Sequence, residues 1–122
     1  MKNMLVEYMS KGFLDNIIAL FRQDHSLYRF IPDMLGNESM RVRLGATALI
    51  EELSKEHEAI LRDVVPGILE LLKHNNPTIR GDAVYVLGII KDPSARGPLN
   101  EALNDANALV REAIHDALAE IG

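Results

Sequence analysis

The sequence predicts an all-α solenoid of stacked antiparallel helix pairs with an N-terminal helical cap, and three observations carry that prediction. An aliphatic-Arg step recurs in three places: Val42-Arg43, Ile79-Arg80 and Val110-Arg111. Each copy keeps its surroundings in register. Ser39, Asn76 and Asn107 lie four residues before the Arg, Leu35, Leu72 and Leu103 eight before, and Ile31, Ile68 and Leu99 twelve before. Repetition over that length is the signature of a repeat architecture, in which each unit buries its apolar face only against its neighbours.

The helix that follows each Arg is the best-defined element. Positions one before the Arg and three, six, seven and ten after it read Val42, Ala46, Leu49, Ile50 and Leu53 in the first copy. The second copy reads Ile79, Ala83, Val86, Leu87 and Ile90, and the third Val110, Ile114, Ala117, Leu118 and Ile121. Every one is apolar, at a period near 3.6 residues, so these positions are expected to form the core stripe. Ser39, Asn76 and Asn107 are expected N-caps. Pro77 takes the first helical position, where its missing N–H leaves nothing unpaired, and Asp92-Pro93 repeats that arrangement.

Between these helices run shorter ones ending at Leu35, Leu72 and Leu103, each holding a proline, Pro32, Pro66 or Pro98, that should kink it. Ahead of the first copy, Met4, Leu5, Tyr8 and Met9 predict one amphipathic helix, and Phe13, Leu14, Ile17, Ile18 and Phe21 a second. This pair lacks the Arg frame, as a capping repeat does. The expected organisation is a single domain over 1–122, with capping helices at 1–24 and repeats at 25–54, 55–91 and 92–122.

Composition narrows the function classes. The 122 residues are 48% apolar but only 5% aromatic, so the core is aliphatic, and the net charge is −5. Acidic residues outnumber basic ones in both halves of the chain, which argues against a nucleic-acid or anionic-lipid surface. Without cysteine there is no disulfide, thiolate metal site or Cys nucleophile. No stretch reaches the length of apolar sequence that a membrane span needs, and a cytoplasmic protein is the expectation.

The pattern of capping residue, aliphatic-Arg and Ala three further on resembles the HEAT repeat, in the short form found in phycocyanobilin lyases. The resemblance covers roughly residues 25–122 and is clearest over 76–93. It implies a right-handed solenoid whose second helices line the concave side. It also implies a ladder in which an Asp six residues before the repeat Arg pairs with arginines of neighbouring repeats. Here Arg43, Arg80 and Arg111 are the arginines, but only Asp105 supplies the Asp, its equivalents being Asn37 and His74; a partial ladder is expected.

Catalytic chemistry finds little support. HEAT-like deoxyhypusine hydroxylase holds iron with His-Glu pairs placed directly after the aliphatic-Arg step, where this chain has Leu44-Gly45, Gly81-Asp82 and Glu112-Ala113. The His57-Glu58 pair stands instead in a charged insertion and reads as a solvated helix start. His25, His74 and His115 fall apart in repeat register. Glu51-Glu52, and Glu112 with Asp116, read as solvated acidic faces. No catalytic residue, metal or cofactor is expected.

A binding surface is expected opposite the core stripe, where positions one, five and eight after each Arg read Leu44, Ala48, Glu51; Gly81, Tyr85, Gly88; and Glu112, Asp116, Ala119. Tyr85 between two glycines offers an amphipathic anchor, and the acids favour a partner segment bearing Lys or Arg. The reading is a non-enzymatic adaptor or scaffold for a protein or peptide. The alternative, by family resemblance, is an accessory factor or lyase-like enzyme for cofactor attachment.

Overall fold

The computed structural model describes residues 1–122 and is helical throughout, with no strand. It divides into two compact units, 1–64 and 65–122.

The first unit begins with α1 (Lys2–Ser10) and α2 (Leu14–Gln23). Leu5 and Met9 of α1 and Ile17, Ile18 and Phe21 of α2 are buried. Phe13, expected within the second helix, stands just before it: Gly12 turns the chain at φ +84° and leaves Phe13 half exposed, edge-on to Tyr8 at 5.8 Å. A 3₁₀ segment (His25–Phe30) then leads into α3 (Ile31–Leu35), followed by α4 (Met40–Leu53) and α5 (Glu58–Arg62). The helices α1, α2 and α3 all pack on α4. Gly45 lets α1 come close, because a Cβ there would collide with the Met9 side chain.

The second unit holds α6 (Val65–Glu70) with a 3₁₀ turn (Leu71–Lys73), then α7 (Pro77–Ile90). A 3₁₀ turn (Pro93–Ala95) precedes α8 (Arg96–Glu101), and α9 (Ala108–Ile121) completes the unit. Its largest contact is α7 against α9.

Thirteen of the fifteen stripe positions are buried, as the period requires. Leu118 and Ile121 are only half-buried. They lie in the last turns of α9, which packs mainly on α7 and α8, so one side of those turns stays open. The proline-bearing first helices are broken into 3₁₀ and α pieces rather than bent. Pro32, Pro66 and Pro98 each sit in the first three residues of an α piece, where a missing N–H leaves no helix bond unmade.

Candidate binding face

The turn before each second helix is built the same way in all three copies. Ser39 accepts a hydrogen bond from the Val42 N–H, Asn76 from Thr78, and Asn107 from both Leu109 and Val110. The residue two before each cap accepts the cap's own N–H: Asn37 Oδ1 from Ser39 at 2.8 Å, His74 Nδ1 from Asn76 at 3.0 Å, and Asp105 Oδ1 from Asn107 at 2.9 Å. Three chemically different side chains share this position because each offers an acceptor at the same reach.

The repeat arginines hold the same turn from the other side. Arg43 Nη1 donates to the carbonyls of Asn37 and Glu38 at 2.9 and 2.8 Å. Arg80 Nη1 donates to those of His74 and Asn75 at 2.8 and 3.3 Å, and Arg111 Nη1 to that of Asp105 at 2.6 Å. The acceptor six residues back is thus main chain, which any residue supplies. Arg80 also grips the Asp105 carboxylate with two bonds, Nε to Oδ2 at 2.8 Å and Nη2 to Oδ1 at 3.0 Å. That bond, opposed by desolvation and aided by the Asn107 N–H, holds the Asp105 carboxyl below its ordinary range.

With the turns held, the residues facing away from the core can be placed unit by unit. On α4, Leu44 is exposed, Ala48 half-buried and Glu51 exposed. Ala48, Glu51 and Glu52 face Leu14, Asp15, Ile18 and Arg22 of α2 across a groove of about 500 Å³. On α7, Tyr85 is 53% exposed, and the space beside Gly81 is open to 4 Å. Gly88 departs from expectation. It is buried, and a Cβ there would stand 3.3 Å from both Cα and Cβ of Ala117, so Gly88 serves the α7–α9 contact and is no part of an open face. On α9, Glu112 and Asp116 are exposed. Neither they nor Glu51 have a cationic partner within the protein.

Two exposed apolar residues escaped the sequence reading, Met40 at 65% and Leu109 at 75% exposure. Both stand in the first turn of a second helix, outside the core stripe, and an apolar side chain off the stripe was the available signal.

The histidines are arranged differently from their repeat register. The rings of His25 and His57 lie 4.7 Å apart, and His25 also meets Tyr28 edge-on at 5.6 Å. The carboxylates nearby are already engaged: Glu56 by Arg22 at 2.9 and 3.0 Å, and Glu58 by Arg62 at 3.0 Å. Arg22 thereby keeps Glu56 below the usual carboxylate range. Nowhere do three or more His, Asp or Glu side chains gather in a way that could hold a metal ion. No helix is long and apolar enough to cross a membrane.

Paired helices joined by a capped, arginine-held turn define an α-helical repeat protein. The sequence profile of the HEAT repeats matches residues 29–119, and the chain belongs to that family. No individual curated protein matches it.

Proposed function

We propose that this protein is a non-enzymatic binding module that takes a protein or peptide partner on the outward faces of its second helices. One observation carries the reading: of the six large apolar side chains left exposed, four (Met40, Leu44, Tyr85 and Leu109) stand on α4, α7 and α9. Apolar area kept in water on the same class of helix is what a recognition surface requires. Glu51, Glu112 and Asp116 add negative charge with no internal cation, which favours a partner bearing Lys or Arg and speeds its encounter.

Tyr85→Ala tests the reading in a partner captured from native lysate. Truncating this anchor should weaken binding by roughly 1–3 kcal/mol, the scale of a modest hot spot, with the fold intact by circular dichroism. Glu112→Lys with Asp116→Lys should slow association, most at low salt. Unchanged rates in these variants, or a footprint around Glu70, Lys73 and Glu101 on the first helices, would refute it.

A further inference from the structure

We infer that the groove between α2 and α4 in the first unit is a docking site for a basic amphipathic helix of a partner protein. The inference rests on the binding-module reading and deepens it by naming the occupant. The lining is mixed, and its apolar part comes from Leu14 and Ile18 of the capping helix and Ala48 of α4. The walls carry the carboxylates of Asp15 and Glu51, neither of which has a cationic partner in the protein. The one arginine on the rim, Arg22, is already committed to Glu56 through two bonds at 2.9 and 3.0 Å, so it does not neutralise them. The groove therefore presents uncompensated negative charge beside apolar surface, which an occupant with the opposite charge and its own apolar face would complement.

The spacing points to a helix. Ala48 lines the groove, and beyond its end Leu44 and Met40, exposed at 61% and 65%, continue the same four-residue step along α4. At ~1.5 Å per residue this line of apolar side chains runs for ~12 Å, about two helical turns. A partner helix with apolar side chains one turn apart would match that line, while its Lys and Arg stems lie over the groove and carry their charges out to Asp15 and Glu51. The protein has no strand to which an extended segment could add. A second groove of about 500 Å³, between α6 and α8, has the same size but mixed charge, Lys73 standing with Glu70 and Glu101. It lacks this complementarity.

The test uses the full chain and three labelled synthetic peptides of about 18 residues, long enough to hold a helix. One has a Leu face and a Lys face, the second replaces every Lys by Glu, and the third scrambles the first so that no face is apolar. Fluorescence anisotropy should show binding of the Lys helix alone, weakening as salt is raised. Asp15→Lys with Glu51→Lys, and separately Ala48→Arg, should each reduce its affinity at least about tenfold, with folding checked by circular dichroism. Equal binding of the Glu or scrambled peptide, no binding of the Lys helix, or indifference to both groove variants would overturn the assignment. A captured partner whose amide-exchange footprint covers α7 and α9 but spares α2 would overturn the groove alone and leave the binding-module reading standing. A partner that ignores every second-helix face would overturn that reading itself.

Discussion

Arg80 grips Asp105 with two parallel hydrogen bonds across 25 residues of sequence, and both side chains are largely withdrawn from solvent, at 14% and 10% exposure. The arginine reaches back to the turn before its own helix with one nitrogen and forward to the turn before α9 with two others. One side chain thus fastens two turns, and Asp105 in return accepts the N–H of Asn107, the cap of α9.

Arg80→Ala should therefore lose pairing, capping support and packing together. We expect destabilisation of about 1–3 kcal/mol, in the range for losing a charged hydrogen-bond donor at a partly buried site. Asp105→Asn should cost less, since an amide oxygen still accepts from Asn107. Urea midpoints of the two single variants and the double variant give the coupling directly. An unchanged midpoint in Arg80→Ala would mean that the pair is solvated and idle.

Acid should weaken the same joint. The Asp105 carboxyl is held below its ordinary value of 3.8, first by the Arg80 bond. A group with a depressed folded-state pKa binds its proton more readily when unfolded. Its stabilisation is therefore complete above the unfolded-state value and lost as pH falls through the folded one. Wild-type stability should fall as pH drops below about 4, and Asp105→Asn should show a shallower fall. Parallel acid profiles for the two proteins would remove Asp105 as a contributor.

Two glycines on α7 should respond oppositely. Gly81 faces open space, so Gly81→Ala should stabilise by roughly 0.5–1 kcal/mol through backbone entropy alone. Gly88 faces Ala117 at 3.3 Å, so Gly88→Val must push α9 away and should destabilise by about 1–3 kcal/mol. Thermal melts of both variants decide the matter, and a stable Gly88→Val protein would show that the α7–α9 contact is loose.

The Tyr28 hydroxyl is buried with no hydrogen-bond partner, and its burial pushes the phenol pKa upward. Removing an unpaired buried hydroxyl removes its desolvation cost. Tyr28→Phe should match or exceed the wild type by up to about 1 kcal/mol in urea. A clear loss of stability would reveal a bond that this hydroxyl makes in solution.

Much of the fold was legible because it is written in local spacing. The caps Ser39, Asn76 and Asn107 lie in the sequence beside the N–H groups they accept, and the buried stripe from Val42 to Ile90 follows from helix period alone. The candidate face was only partly legible. Position relative to the stripe placed Leu44, Glu51, Tyr85, Glu112 and Asp116 outward, yet the same rule put Gly88 outward, where it is buried. A side chain's angle on its own helix does not say which second helix comes to meet it.

By itself the sequence determined the helical repeat, its caps, its core stripe and the recurrent arginine, since each depends on residues within about four turns of one another. Tertiary structure alone decided that Gly88 is a contact and Gly81 an opening, and that His25 meets His57. It also decided that Leu14, Asp15 and Ile18 of the cap share a groove with Ala48 and Glu51. These depend on the separation and crossing of helices distant in sequence. Many side chains together set that packing, and no single spacing in the chain encodes it.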